Sequence, residues 1–235
     1  MKLSLAAAIG LIALSTIEAV KVNPIPAPVT LQWGKSGPVK FDNNFRIVGP
    51  KNAILSKAIS RTTKLIKKER WTPATWEEPI PVFKPFPTLS KRADEDEVED
   101  EVEDKVVANT NGGGRVVRTI NVEVANLNAE LQAGVDETYT LDISSNGKGT
   151  IKAKTVWGAL HGLTTLEQIV ISDGRRGLHI EQPVKIADGP KFAHRGVMLD
   201  TARNFYPVKD ILRQIDGLAW SKLNVFHWHI TDNQS

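Results

Sequence analysis

Three features of the sequence predict an α+β domain followed by a strand–helix–strand unit. Short runs between Leu31 and Ile186 alternate apolar and polar residues with the two-residue period of half-buried strands. Among them, Ala53–Ile66 and Thr155–Ile171 instead repeat apolar residues every three or four positions, as helices buried on one face do. In Phe192–Ser235, an apolar run, a helical pattern and a second apolar run follow one another. Strands with two helices to cover them suit a sandwich-like α+β domain.

The chain has 235 residues, a net charge of +3 and no cysteine, enough for one large or two modest domains without disulfides. Lys2 precedes the apolar stretch Leu3–Leu14, and Ile17-Glu18-Ala19 resembles the small-residue end of a signal peptide. Residues 1–19 are therefore read as a leader cleaved at Ala19, the competing reading being a buried N-terminal helix. The stretch is too short to span a bilayer, and no later one is long and apolar enough. The expectation is secretion, or delivery to a lysosome or vacuole, with no membrane partner.

Residues 20–190 form the expected α+β domain. Val22–Thr30 is a proline-rich lead-in, and Leu31–Val48 reads as short strands around Gly34 and Gly37. In Ala53–Ile66 the apolar face is Ile54, Leu55, Ala58, Ile59, Leu65 and Ile66. The opposite face carries Lys57, Arg61, Lys64, Lys67 and Lys68. Without interleaved aromatic residues this reads as a solvated face, not a nucleic-acid surface. An acidic insertion spans about residues 87–114, and nine of the eleven residues Asp94–Asp104 are acidic. So many like charges repel one another, which predicts disorder. Without that run the net charge would be +12, so the mild basicity averages a basic body and one acidic loop. Lys91-Arg92 is a dibasic pair beside it, a predicted processing site cleaved after Arg92. The run has no turn-forming glycine and does not match a calcium loop.

Val116–Val124, Tyr139–Ile143 and Gly149–Ala153 read as strands, the last two joined by the turn Ser144–Gly147. Thr155–Ile171 is a helix with Trp157, Leu160, Leu163, Leu166, Ile169 and Val170 facing inward. Ile180–Ile186 reads as a last strand, and Asp188-Gly189-Pro190 as a hinge into residues 191–235.

In residues 191–235, Val197-Met198-Leu199 is a short strand ending at Asp200. Pro207 stands where a first helical residue is expected, and Ile211, Leu212, Ile215, Leu218 and Ala219 recur at helical spacing. Leu223–Ile230 is a second strand. A parallel pair with a right-handed crossover follows by default. It brings Arg203, after the first strand, beside Asp232 and Asn233, after the second. Strand-end loops are where such folds place their sites, and a fixed cation beside a carboxylate suits a sugar, a phosphate or a carboxylate.

The segments HRGVMLDTARNFYP (His194–Pro207), KLNVFHWHITD (Lys222–Asp232) and the closing NQS resemble the start of the catalytic barrel of glycoside hydrolase family 20, the β-N-acetylhexosaminidases. AKTVWGALHGLTTLEQIV (Ala153–Val170) is similar to part of that family's N-terminal domain, with His161 where a more basic residue is expected. The acidic insertion looks like that of secreted fungal members. The resemblance implies a zincin-like N-terminal domain without a metal site, which buttresses the first β-α-β of a (β/α)8 TIM barrel. It implies substrate-assisted retaining hydrolysis of terminal N-acetylhexosamine from chitin oligomers or glycans, with no cofactor and a possible homodimer. By the same resemblance Arg203 holds the sugar hydroxyls, and Asp232 supports a histidine near the catalytic pair. The acid–base glutamate and the acetamide-orienting aspartate fall after the position of Asp232. Asn204 and Asn233 depart from the histidine and aspartate common in the family. A complete barrel needs roughly 250 residues, so the chain reads as truncated and by itself inactive.

His227 and His229 share one strand face, but two ligands are not a metal site, and they read as core histidines. Asp200 reads either as catalytic or as a structural carboxylate holding the Arg195 or Arg203 loop. Asn233-Gln234-Ser235 is the sequence's one glycosylation sequon. No phosphate loop or nucleophile elbow is present. Two other functions remain open: a non-catalytic carbohydrate-binding or propeptide-like module, and a different barrel enzyme such as a phosphate-sugar isomerase.

Overall fold

The computed structural model describes residues 22–73, 116–175 and 177–233. The leader ending at Ala19, the Lys91-Arg92 pair, the acidic run Asp94–Asp104 and the last two residues of the sequon lie outside the described residues.

Among the described residues, the N-terminal region is one mixed eight-stranded sheet with a helical layer. In chain order its strands are β1 (Thr30–Trp33), β2 (Val39–Val48), β3 (Val117–Asn126), β4 (Tyr139–Ile143), β5 (Gly149–Thr155), β6 (Ile171–Ser172), β7 (Leu178–Ile180) and β8 (Val184–Asp188). Across the sheet they run β1-β8-β4-β5-β3-β2-β7-β6. Helix α1 (Ala53–Glu69) packs on β2 and on α2 (Val156–Ile169), and α2 lies against β3, β4 and β5. Alternation in β4 buries Tyr139, Leu141 and Ile143 beneath this layer and leaves Thr140 exposed. Phe45, Leu55, Ile120, Ile151, Leu163 and Leu166 complete the centre of the core.

Local chemistry sets the helix boundaries. The Asn52 side chain accepts from the amides of Ile54 and Leu55 and caps α1, and Thr155 caps α2 through the amide of Gly158. Gly158 and Gly162 let α2 approach the sheet. A Cβ on Gly158 would stand 2.3 Å from the carbonyl oxygen of Thr138, and one on Gly162 2.6 Å from the Ile151 side chain.

The structure departs from the sequence expectations in pairing. Although β1 and β2 are adjacent in sequence, they do not pair: β1 joins β8 at one edge, and β2 joins β3 and β7. The predicted strand Ile180–Ile186 is two strands, β7 and β8, on opposite sides of the sheet. The break falls at Gln182-Pro183, where proline offers no amide for a ladder. There the Pro183 carbonyl accepts from Gly34 at 2.7 Å and the Gln182 side chain accepts from Gly37 at 2.8 Å.

Beyond residue 190, β9 (Gly196–Asp200), α3 (Val208–Trp220) and β10 (Val225–His229) form the expected strand–helix–strand unit, with β9 and β10 parallel. Pro207 is the residue before the helix, with ψ 144°, not its first turn. Of the five predicted inward positions of α3, only Ile211 and Leu218 are buried, and Leu212 and Ile215 are exposed. α3 ends in a turn in which Leu223 N–H bonds the Leu218 carbonyl and Lys222 takes φ 55°. This is the left-handed position where glycine usually ends a helix, and a side chain there costs about 1 kcal/mol or more.

Candidate active site

Parallel pairing in register, Gly196 with Val225 through Asp200 with His229, puts the C-terminal ends of both strands on one rim. The loop after β9 is wound around Asp200. Its Oδ1 accepts from the amides of Ala202 at 3.0 Å and Arg203 at 3.3 Å, and its Oδ2 accepts from Arg203 Nη1. Arg203 Nη2 donates to Asp232 Oδ2 at 2.7 Å. The guanidinium is therefore clamped between carboxylates from both strand ends. Partial desolvation pushes the Asp200 carboxyl up, but the bonds from Arg203 and the backbone outweigh it, and its pKa lies below the ordinary value. Asp200 thus holds the Arg203 loop, and Arg195 points elsewhere.

Arginine carries five N–H donors. The Arg203 side chain is 64% exposed, so donors beyond the two carboxylate contacts face solvent. Asp232 also lies 3.4 Å from His229 Nε2, a neighbour that sequence reading missed although the three-residue spacing was visible. His227 is exposed and His229 half-buried, so neither is a core histidine. Among the described residues no cluster of three potential metal ligands occurs. Trp228 has the opposite parity to the two histidines and donates its indole N–H to Thr201 Oγ1 at 2.9 Å, tying β10 to the rim loop. The backbone N–H of Asn233 donates to Asp232 Oδ1 at 2.7 Å, and Asn204 is exposed.

The opposite ends of β9 and β10 are anchored in the N-terminal domain. Lys222 is 5% exposed, and its Nζ donates to Asp188 Oδ2 and to the Tyr139 hydroxyl, each at 2.8 Å. The Tyr139 hydroxyl donates to Asp188 Oδ2 at 2.9 Å and lies 2.6 Å from Thr165 Oγ1. Beside this group, Arg195 donates to Glu137 Oε1 at 2.8 Å and to the Lys222 carbonyl at 2.8 Å. His161 Nε2 meets the same Glu137 oxygen at 2.9 Å. Burial pushes Asp188 and Glu137 up, but their cations outweigh it and both lie below ordinary carboxylate values. The predicted hinge at Asp188-Gly189-Pro190 is therefore a junction crossed by buried ion pairs.

Residues 24–169 match the family described as beta-acetyl hexosaminidase like, and residues 192–235 match the glycosyl hydrolase family 20 catalytic domain. The chain belongs to glycoside hydrolase family 20. It is similar to "Beta-hexosaminidase 1" of Coccidioides posadasii, at 47% identity over 93% of this chain and 34% of the relative. It is also similar to "Beta-hexosaminidase" of Emericella nidulans, at 44% identity over 94% of this chain and 36% of the relative. The chain thus spans about a third of the length of these curated relatives. Among solved structures, the chitobiase of Flavobacterium johnsoniae matches with a TM-score of 0.61 and 28% identity, covering 91% of this chain and 28% of that one. A Streptomyces plicatus beta-hexosaminidase mutant in complex with product (GlcNAc) shares the fold, with a TM-score of 0.55 over 89% of this chain and 34% of that one.

Proposed function

We propose that this chain supplies the supporting domain and the sugar-gripping strand ends of a secreted β-N-acetylhexosaminidase. That enzyme removes terminal non-reducing N-acetylhexosamine from chitin oligomers or glycans by a substrate-assisted retaining mechanism. In this reading residues 20–190 are a zincin-like domain without a metal, and residues 191–235 begin a (β/α)8 barrel. The observation that carries it is Arg203, clamped by Asp200 and Asp232 at adjacent parallel strand ends with its remaining donors exposed. A held guanidinium gives charge-assisted hydrogen bonds to sugar hydroxyls with little rotamer entropy left to lose. Asp232 keeps the arginine in place and adds an acceptor at the rim.

Chemistry on the bound sugar follows from this grip. The 2-acetamido oxygen attacks the anomeric carbon as the glycosidic bond breaks, and a carboxylic acid protonates the leaving oxygen. Water, giving a proton to the same carboxylate, then attacks the anomeric carbon from the face the leaving group vacated and opens the cyclic intermediate, so configuration is retained. The acid and the acetamide-orienting aspartate belong to strands that follow β10 in this reading. Secretion rests on the leader ending at Ala19. Among the described residues no helix is long and apolar enough to cross a membrane.

A chimera tests the proposal: residues 22–233 replace the matching third of the Coccidioides relative, and an aryl N-acetylglucosaminide is assayed. Turnover comparable to the parent supports it. A folded chimera without turnover rejects it, as would turnover by this chain alone above a host-matched blank.

A further inference from the structure

Lys222 occupies a backbone position suited to glycine, yet its ammonium is buried in the neighbouring domain. A lysine serving only to end α3 would gain nothing from that position and would leave its ammonium in water. Here the stem runs past the Tyr139 ring, with Nζ 5.0 Å from the ring centre, and reaches Asp188. Three residues of the N-terminal domain, Tyr139, Thr165 and Asp188, converge on this one cation or on its partners. Arg195 makes a second crossing to Glu137 while bonding the Lys222 carbonyl, so the two crossings share one backbone segment. Arg195 immediately precedes β9, and Lys222 lies three positions before β10.

We propose that Lys222, with its partner Asp188, is a positioning residue for the sugar grip: it fixes the near ends of β9 and β10 and thereby the spacing of Arg203 and Asp232 at the far ends. The proposal rests on the reading of Arg203 and Asp232 as the sugar grip. Each strand has five residues, a span of about 16 Å. That is short enough for a hydrogen-bonded parallel pair to carry a shift at one end to the other as a rigid unit. The small domain then does more than cover the barrel, because its buried carboxylate sets where the sugar-binding arginine stands.

The test uses the full chain and its indole and guanidinium NMR signals. Trp228, bonded to Thr201, and the Arg203 Nε–H report the rim; Trp157, whose indole donates to the Ala129 carbonyl at 3.0 Å, reports the N-terminal domain. Lys222→Met and Asp188→Asn each strand a buried charge and should lower the Tm by on the order of 10 °C. The double variant removes both charges. It should recover most of that Tm and keep the Trp157 signal, while the Trp228 and Arg203 signals stay shifted or broadened. Lys222→Gly, which suits the backbone better, should also be less stable than the parent.

A double variant whose rim signals return to the parent positions makes the pair a replaceable structural contact and overturns the proposal. So does a double variant that loses Trp157, which would show Lys222 holding the fold and not the rim. Rim signals unmoved in every variant overturn it as well. N-Acetylglucosamine added to the parent chain tests the sugar grip separately. Absence of any shift at Arg203 counts against the proposed function and leaves the ligand-free comparison intact.

Discussion

Arg203 has its fork held by two carboxylates, and in the proposed reading it is the residue that grips the sugar. Arg203→Lys keeps the charge but cannot bridge both carboxylates and reach a hydroxyl at once. In the active chimera the loss in kcat/KM should be about thirtyfold or more, equivalent to ~2 kcal/mol for a charge-assisted bond left unmade. An unchanged kcat/KM would remove Arg203 from the site. Asp136 offers a second single-residue test, this time of stability. Hydrogen bonds from Thr138 and Lys154 lower its carboxyl from the ordinary 3.8 to about 2. A depressed carboxylate contributes stability above its unfolded pKa and loses it as pH falls through the folded value. Asp136→Asn should therefore cost about 1 kcal/mol near neutral pH, the ion pair with exposed Lys154 being screened. Urea melts of the two proteins should converge as the pH falls from about 4 toward 2.

At the scale of elements, α2 packs on the sheet and also lends Thr165 and His161 to the junction. Its glycines set its distance from β4, so Gly158→Ala gains helix propensity of about 1 kcal/mol but meets the Thr138 carbonyl oxygen. Backbone cannot step aside as a side chain can, and the net effect should be a loss of about 1–3 kcal/mol, read by thermal or urea denaturation. His161, on the same helix, gives the junction a pH dependence. Burial lowers its pKa, Glu137 opposes that, and Lys222 and Arg195 add to the lowering. Protonation would place a second cation on Glu137, beside Arg195. Below about pH 6.5 the unfolded chain binds a proton that the folded chain resists, so stability should fall with pH until the buried imidazole is also charged. His161→Gln should flatten that slope between about pH 7 and 5. His179, lowered chiefly by burial, should account for a residual slope. An unaltered slope in His161→Gln would show that the junction does not sense protonation.

For the whole molecule, the contrast lies between a closed N-terminal core and an open strand–helix–strand unit. The sheet and its two helices bury a contiguous cluster from Val39 to Ile186. Beyond residue 190, by contrast, Leu212, Ile215, Trp220, Trp228 and Ile230 are all exposed. A pair of parallel strands covered by one helix leaves apolar surface and a strand edge in water. The isolated chain should melt cooperatively through its N-terminal core yet bind an apolar dye and associate with rising concentration. Leu212→Glu with Ile215→Glu should weaken both effects. Sedimentation of the parent as a monomer at all concentrations, without dye binding, would contradict this account.

Periodicity alone determined a large share of this architecture. The α1, α2 and α3 helices, strands β3–β5 and the parallel β9–β10 pair follow from spacing, caps and turn residues, which act over a few positions. Arg203 and Asp232 could be brought to one rim because parallel strands place their ends together by geometry. Side-chain spacing, however, reports which face is apolar and not which strand lies beside it. Only the tertiary structure separated β1 from β2, split Ile180–Ile186 at Pro183, and left Leu212 and Ile215 of α3 uncovered. It also decided the junction. Lys222 and Tyr139 are 83 positions apart, and nothing local marks a lysine in a left-handed turn as buried. A buried charge is stable only where a distant carboxylate meets it, so its role becomes visible only once the chain has folded.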